Sequence, residues 1–169
     1  EKDRVIIFVL KNILTRGHYL VKNMNDDFSE MVYDGFINSL DPNKRYFTQK
    51  DLKEFSQYKY QIDNQLKNDD ITFYKLVYNR FLEKIKNAKS NYSQILDNEF
   101  NFNKKEEIDI DYEKVPFAKN ENELIDYWRK QLKLQTLGRI QQKIELQDEK
   151  SKTDKNFKKK SFKELEKEA

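Results

Sequence analysis

An all-α fold follows from three observations on this chain. Only three Gly and two Pro occur among its 169 residues, too few to supply the many tight turns that short strands need. Apolar residues recur at three- and four-residue steps over most of its length. Polar capping residues stand where several of these runs begin. The expected architecture is a helical bundle of about five helices, with a short extended segment and a charged C-terminal extension.

The first helix is expected from Arg4 to about Arg16, with Ile6, Val9, Leu10 and Ile13 at helical spacing and Gly17 as its stop. Asn25, Asp26 and Asp27 are capping candidates for a second, whose stripe reads Phe28, Met31, Val32, Gly35, Phe36 and Leu40. It ends at Asp41-Pro42, because the residue before a proline avoids helical backbone angles. Thr48 stands three residues before Asp51, a variant of the capping box, and opens a third helix along Leu52, Phe55, Tyr58, Ile62 and Leu66. Asn68-Asp69-Asp70 interrupts the pattern. A long fourth helix then carries Phe73, Leu76, Val77, Phe81, Ile85, Ala88, Tyr92 and Ile95 to about Asn98, and should lie antiparallel to the third.

Between Asn101 and Lys119 the period changes. Ile108, Ile110 and Tyr112 alternate with Asp109, Asp111 and Glu113, the pattern of an extended segment or short edge strand. Asn120 with Glu123 caps a fifth helix bearing Leu124, Ile125, Trp128, Leu132 and Gln135. Beyond Ile140 charged and amide residues dominate. Residues 1–140 therefore read as a helical domain, and 141–169 as a charged helical extension or a linker.

Composition limits function. Apolar residues make up 37%, but 12 Phe, 10 Tyr and one Trp supply enough area for a core. The 33 basic and 30 acidic residues nearly cancel to a net charge of +3, which argues against a nucleic-acid partner. No run of about 18 apolar residues is present, so no membrane-spanning helix is expected. The longest apolar run, Val5 to Leu10, is too short for a signal-peptide core and has no small-residue cleavage site after it. Without Cys there is neither a disulfide nor a thiolate nucleophile nor Cys-ligated zinc.

Catalytic motifs are missing as well. His18 is the single histidine, and at the end of an apolar helix it reads as a packing or capping residue. Asp109, Asp111 and Glu113 have the spacing of calcium ligands. Lys114 stands where that loop needs Gly, however, and Asn120 where it needs the closing Glu. Lys158-Lys159-Lys160 is answered at once by Glu164, Glu166 and Glu168, as in a solvated charged face. Trp128 on its apolar stripe reads as core, and Asp41 to Phe47 as a packed corner between helices. Catalytic, cofactor-binding and metal-binding residues are all expected to be none, and no cofactor is expected.

Two stretches nevertheless point to one family. Leu40-Asp41-Pro42-Asn43-Lys44-Arg45-Tyr46-Phe47 resembles a signature in the N-terminal domain of tail-specific proteases, also called carboxy-terminal processing peptidases. Tyr127-Trp128-Arg129-Lys130-Gln131-Leu132-Lys133 resembles a later helix of the same domain. Fainter similarities lie in His18-Tyr19, in Asp26-Asp27-Phe28-Ser29, and from Phe100-Asn101-Phe102 to Val115-Pro116-Phe117. In order and spacing they extend from the first helix to about Ile140.

The resemblance implies a parent serine endopeptidase, exported to the periplasm or cell envelope, that cleaves proteins after recognising their C-terminal tails. It also implies a PDZ domain and a Ser/Lys peptidase domain in the same parent chain, in which lysine serves as general base. No residue here matches that dyad. The chain is thus expected to be no enzyme by itself, but a structural platform, with tailed protein substrates and an adaptor among its partners. The alternative is a free-standing helical protein-interaction module.

Overall fold

The computed structural model describes residues 2–13, 23–154 and 156–169, and among them every regular element is helical. The α-helices are α1 (Lys2–Asn12), α2 (Asp26–Leu40), α3 (Gln49–Phe55), α4 (Ile62–Lys67), α5 (Thr72–Leu96), α6 (Glu121–Thr153) and α7 (Phe162–Glu168). The chain divides into two compact units. One comprises Glu1–Ser90 with Ile110–Leu124, the other Asn91–Asp109 with Ile125–Ala169.

In the first unit, local signals set the helix ends. The Asn25 side chain accepts the amide N–H of Phe28, and α2 starts there as expected. Asp70 accepts from both the amide and hydroxyl of Thr72 at the head of α5. Asp69 takes a left-handed backbone, φ 56°, which aspartate tolerates better than most residues. The end of the first predicted helix, with Gly17 and His18, lies outside the described residues, as does Tyr19.

The core of this unit is aromatic. Tyr33, Ile37, Phe47, Phe55, Ile62, Phe73 and Val77 pack as one buried cluster. Tyr33 stacks on Phe73 at 5.2 Å between ring centres, and Phe47 meets Phe55 edge to face at 5.4 Å. On α2 the buried residues are Phe28, Ser29, Tyr33 and Ile37, whereas Met31 is exposed. The inward face is therefore turned relative to the expected stripe, and the Tyr33 ring fills it. Likewise Lys84 is buried on α5 while Ile85 is exposed. An acidic partner, described below, draws the ammonium inward.

The third expected helix is not continuous. Its stripe is carried by α3, a 3₁₀ turn at Ser56–Tyr58, and α4. Leu52, Phe55, Tyr58, Ile62 and Leu66 all still reach the same core, so the break changes the direction of the chain and keeps its buried face. Ser29 and Asp63 hold α4 to α2. The Ser29 hydroxyl donates to the Asp63 carboxylate at 3.0 Å and accepts the Asp63 amide at 2.9 Å, with both residues buried. Asp51 at the head of α3 meets Lys84, while Tyr58 beyond its end meets Phe73. The antiparallel course expected for α3 and α5 follows from those two contacts.

No strand forms between Asn101 and Lys119. A single parallel bridge joins Thr48 to Ala118, where the Gln49 amide donates to the Ala118 carbonyl at 2.8 Å. Residues 105–111 carry no regular structure, and the alternation then runs into a turn at 112–114, where the amides of Lys114 and Val115 both donate to the Asp111 carbonyl; among the described residues no strand pairs with this segment.

The second unit is built on α6, whose buried residues include Trp128, Gln131, Thr136, Ile140 and Gln147. Gln135, placed on the inner stripe from sequence, is exposed, and Gln131 lies inside instead. Trp128 packs on Tyr92 with ring centres 5.1 Å apart. Residues 141–169 complete α6 and turn back through α7. There Leu165 is buried, Ser161 forms a capping box with Glu164, and Lys143 bonds Glu168. This return helix has no counterpart in the five expected, because its buried surface rests largely on one leucine.

Phe47 and Trp128 are each about fully buried. Replacing either with Ala should cost about 3–5 kcal/mol by leaving a cavity, measured as a lowered urea midpoint. A loss below about 1 kcal/mol would show that the ring is not packed as described.

Candidate functional site

The corner between α2 and α3 is organised by one side chain. Pro42 stops α2, and Asp41, 1% exposed, turns its carboxylate back under the loop. There it accepts the amide N–H groups of Arg45 at 2.6 Å and of Tyr46 and Phe47 at 2.9 Å each. Three amides that would otherwise lack partners converge on one anion. Lys44 adopts φ 52° and reaches out to the carbonyls of Glu113 and Val115. The Arg45 guanidinium donates to the Tyr112 hydroxyl at 3.0 Å and lies over that ring. Tyr46 and Phe47 both pack on Phe81. The segment is the packed corner expected from its sequence, and Lys44 and Arg45 fasten residues 112–115 to it.

Directly after the corner stands a partly buried ionic cluster. Asp51 completes the capping box with Thr48, accepting its amide at 2.8 Å and its hydroxyl at 2.7 Å. The same carboxylate receives Arg80 at 2.5 Å and Lys84 at 2.8 Å from α5, and Lys84 also bonds Glu121 at the start of α6. Burial alone would raise the pKa of Asp51, but the bonds from Lys84, Thr48 and Arg80 outweigh it and hold the carboxyl below its ordinary range. Lys84 is held above its ordinary value by the same pairing, against the opposing effect of burial.

In the second unit, the Tyr127 to Lys133 stretch divides between packing and charge. Trp128 and Gln131 face inward. Arg129 and Lys133, four residues apart on α6, both reach the carboxylate of Glu106, at 3.1 Å and 2.7 Å, and Lys104 joins them at 3.0 Å. The bonds from Arg129, Lys133 and Lys104 push the Glu106 carboxyl far below the usual carboxylate range. Glu106 carried no signal of its own in the sequence. The pair of cations on one helical face was the available clue that an anion must meet them.

These carboxylates are saturated with donors. Asp41 holds three amides and Asp51 holds Thr48, Arg80 and Lys84, so both carboxylates are engaged in fixing the fold. His18 lies outside the described residues. Asp111 pairs with Lys114, and among the described residues no group of three or more His, Asp or Glu is placed to hold a metal ion.

Removing the Asp41 carboxylate with Ala should cost about 3–5 kcal/mol, and Asn should cost less because one oxygen remains to accept. Asp51→Asn should cost less, about 1–3 kcal/mol, because it removes the charge facing buried Lys84 while Glu121 still pairs with that ammonium and Glu54 with Arg80. Both are read from urea unfolding by circular dichroism. The pKa values of Asp51 and Glu106 are depressed in the folded state, so the unfolded chain takes up protons first. Their stabilisation is therefore complete above about pH 5 and is lost as the pH falls through the folded values. Glu106→Gln should flatten the acid side of the stability profile and leave the neutral side parallel to the parent.

Comparison with known proteins matches this sequence to a family. The family described as "Tail specific protease N-terminal domain" matches residues 9–169. The tail-specific protease of Haemophilus influenzae is 33% identical over 125 residues, which cover 71% of this chain and 17% of that protein. The chain thus spans about one sixth of the length of this curated relative. Both signature stretches lie inside the matched residues, and each has a structural task in the fold: the chain belongs to the family of tail-specific protease N-terminal domains.

Proposed function

We propose that this chain is the non-catalytic N-terminal domain of a Ser/Lys serine endopeptidase of the periplasm or cell envelope, one that processes proteins from their C-terminal tails. The observation that carries this reading is the family match over residues 9–169, combined with the small share of the related protease that the chain spans. The signature residues of the matched region are occupied in folding: Asp41 in a corner, Trp128 in a core, and Arg129 and Lys133 on Glu106. A domain of this kind acts by position. It holds a substrate or adaptor, and it fixes the PDZ and peptidase domains that the reading assigns to the same parent chain. Residues 1–140 form the body of that platform, and 141–169 carry the chain towards those domains.

The reading makes two demands. The 169-residue chain should leave unfolded proteins with apolar C-termini intact, and cleavage that persists through rigorous purification would overturn the non-catalytic assignment. In the parent protease, deletion of residues 1–140 should slow turnover of a tailed protein substrate more than that of a short peptide, once circular dichroism shows that the remaining domains are folded. Equal loss on both would mean that the domain is needed for the active conformation itself. No loss on either would remove it from proteolysis and favour an independent interaction module.

A further inference from the structure

The second unit contains a segment of backbone with its hydrogen-bonding groups open. Residues 105–108 lie outside any helix, turn or bend, and among the described residues their amide N–H and carbonyl groups form no hydrogen bond with the rest of the chain. They are nonetheless held in place. Glu106 is clasped by Arg129, Lys133 and Lys104, and the Lys133 ammonium also bonds the Lys104 carbonyl at 2.9 Å. Side chains alternate as in a strand, with Glu106 and Ile108 half-buried and Lys105 and Glu107 exposed.

Between this segment and α6 runs a groove of about 200 Å³. Its apolar floor comes from Phe102, Ile108, Leu134 and Leu137, and the two leucines are 47% and 43% exposed. Its rim carries the ammonium groups of Lys104, Lys105, Lys130 and Lys133 against the carboxylates of Glu106 and Glu107. Glu106 is already taken by three cations, which leaves that cluster with a positive surplus, and Lys130 pairs with Asp126 at 3.2 Å. Lys105 forms no ion pair among the described residues. Lys130, Lys133, Leu134 and Leu137 share one face of α6, at steps of three, four and seven.

We infer that this groove binds an extended acidic peptide, which pairs as a strand with residues 105–108 while its apolar side chains rest on Ile108, Leu134 and Leu137. Main-chain bonds to an open edge give affinity, and the floor beneath alternate side chains gives selectivity. The surplus of positive charge on the rim selects an acidic partner over a basic one. This deepens the platform reading by naming the class of chain that the platform holds, and it rests on that reading only for its place in proteolysis.

The test uses the 169-residue chain and a fluorescein-labelled peptide in which leucine alternates with glutamate, followed by anisotropy at low salt. Saturable binding is expected, with slowed amide exchange at residues 105–108. Methylating alternate peptide amides, replacing the glutamates with lysines, or introducing Leu134→Asp should each weaken it about tenfold or more. Leu134 is exposed, so that variant should keep the parent circular dichroism spectrum, and Lys105→Glu gives a second exposed change with the same expected direction. Three results would each overturn the inference: no saturation up to about 1 mM, equal binding of the methylated peptide, or full binding by folded Leu134→Asp. Any of these would leave the deletion experiment on the parent protease unaffected. A null result of that deletion would in turn leave peptide binding to the isolated chain standing.

Discussion

The buried carboxylate of Asp41 sets the course of the chain between α2 and α3, and the core of the first unit depends on that course. Pro42 ends the helix but leaves the direction of the next residues open. Asp41 specifies that direction, because gathering the amides of Arg45, Tyr46 and Phe47 fixes three successive peptide planes. Phe47 thereby enters the core against Phe55, and Thr48 is placed to cap α3. An apolar residue at position 41 would leave those amides buried and unpaired, each at a cost of about 1–3 kcal/mol.

From this corner the ordering passes to α5 through charge. Asp51 is at once the capping residue of α3 and the partner of Arg80 and Lys84, so one carboxylate ties a local backbone feature to a long helix. Such buried pairs are weak sources of net stability, because desolvation offsets most of the attraction. Their effect here is directional. An aromatic core of Tyr33, Phe47, Phe55 and Phe73 could slide or rotate with little change in buried area, whereas Asp51 accepts its donors in one register. Ser29 and Asp63 do the same for α2 and α4, with a neutral hydroxyl in place of a cation.

The features legible in the sequence were those set within a few residues. The Asn25 cap, the Thr48 and Asp51 capping box, and the stop at Asp41-Pro42 need only neighbours in the chain, and each stands where the residue types placed it. Burial is less legible wherever a distant partner decides it. Lys84 displaced Ile85 from the buried face because Asp51 lies opposite, and Tyr33 displaced Met31 because Phe73 offers it a stacking surface. The break after Phe55 left no mark in the apolar period, since α3, the 3₁₀ turn and α4 keep feeding the same core. Asp41 lay inside a recognised signature, but its three amides come from residues whose positions only the folded loop defines. Glu106 was invisible for the same reason, since Arg129 and Lys133 lie more than twenty residues away in sequence.

The extended segment shows how such a long-range contact can leave backbone available. With every regular element among the described residues helical, residues 105–108 have no strand there to join, and water can satisfy their amides at little cost while the segment stays at the surface. An unanchored stretch of this composition would sample many conformations, and a partner would have to order it on binding at roughly 1–2 kcal/mol per residue. Glu106 removes part of that cost beforehand. By fixing the segment along α6 through three cations, it holds the edge extended and its open groups in line before anything meets them. The same contact therefore serves the fold and prepares the surface.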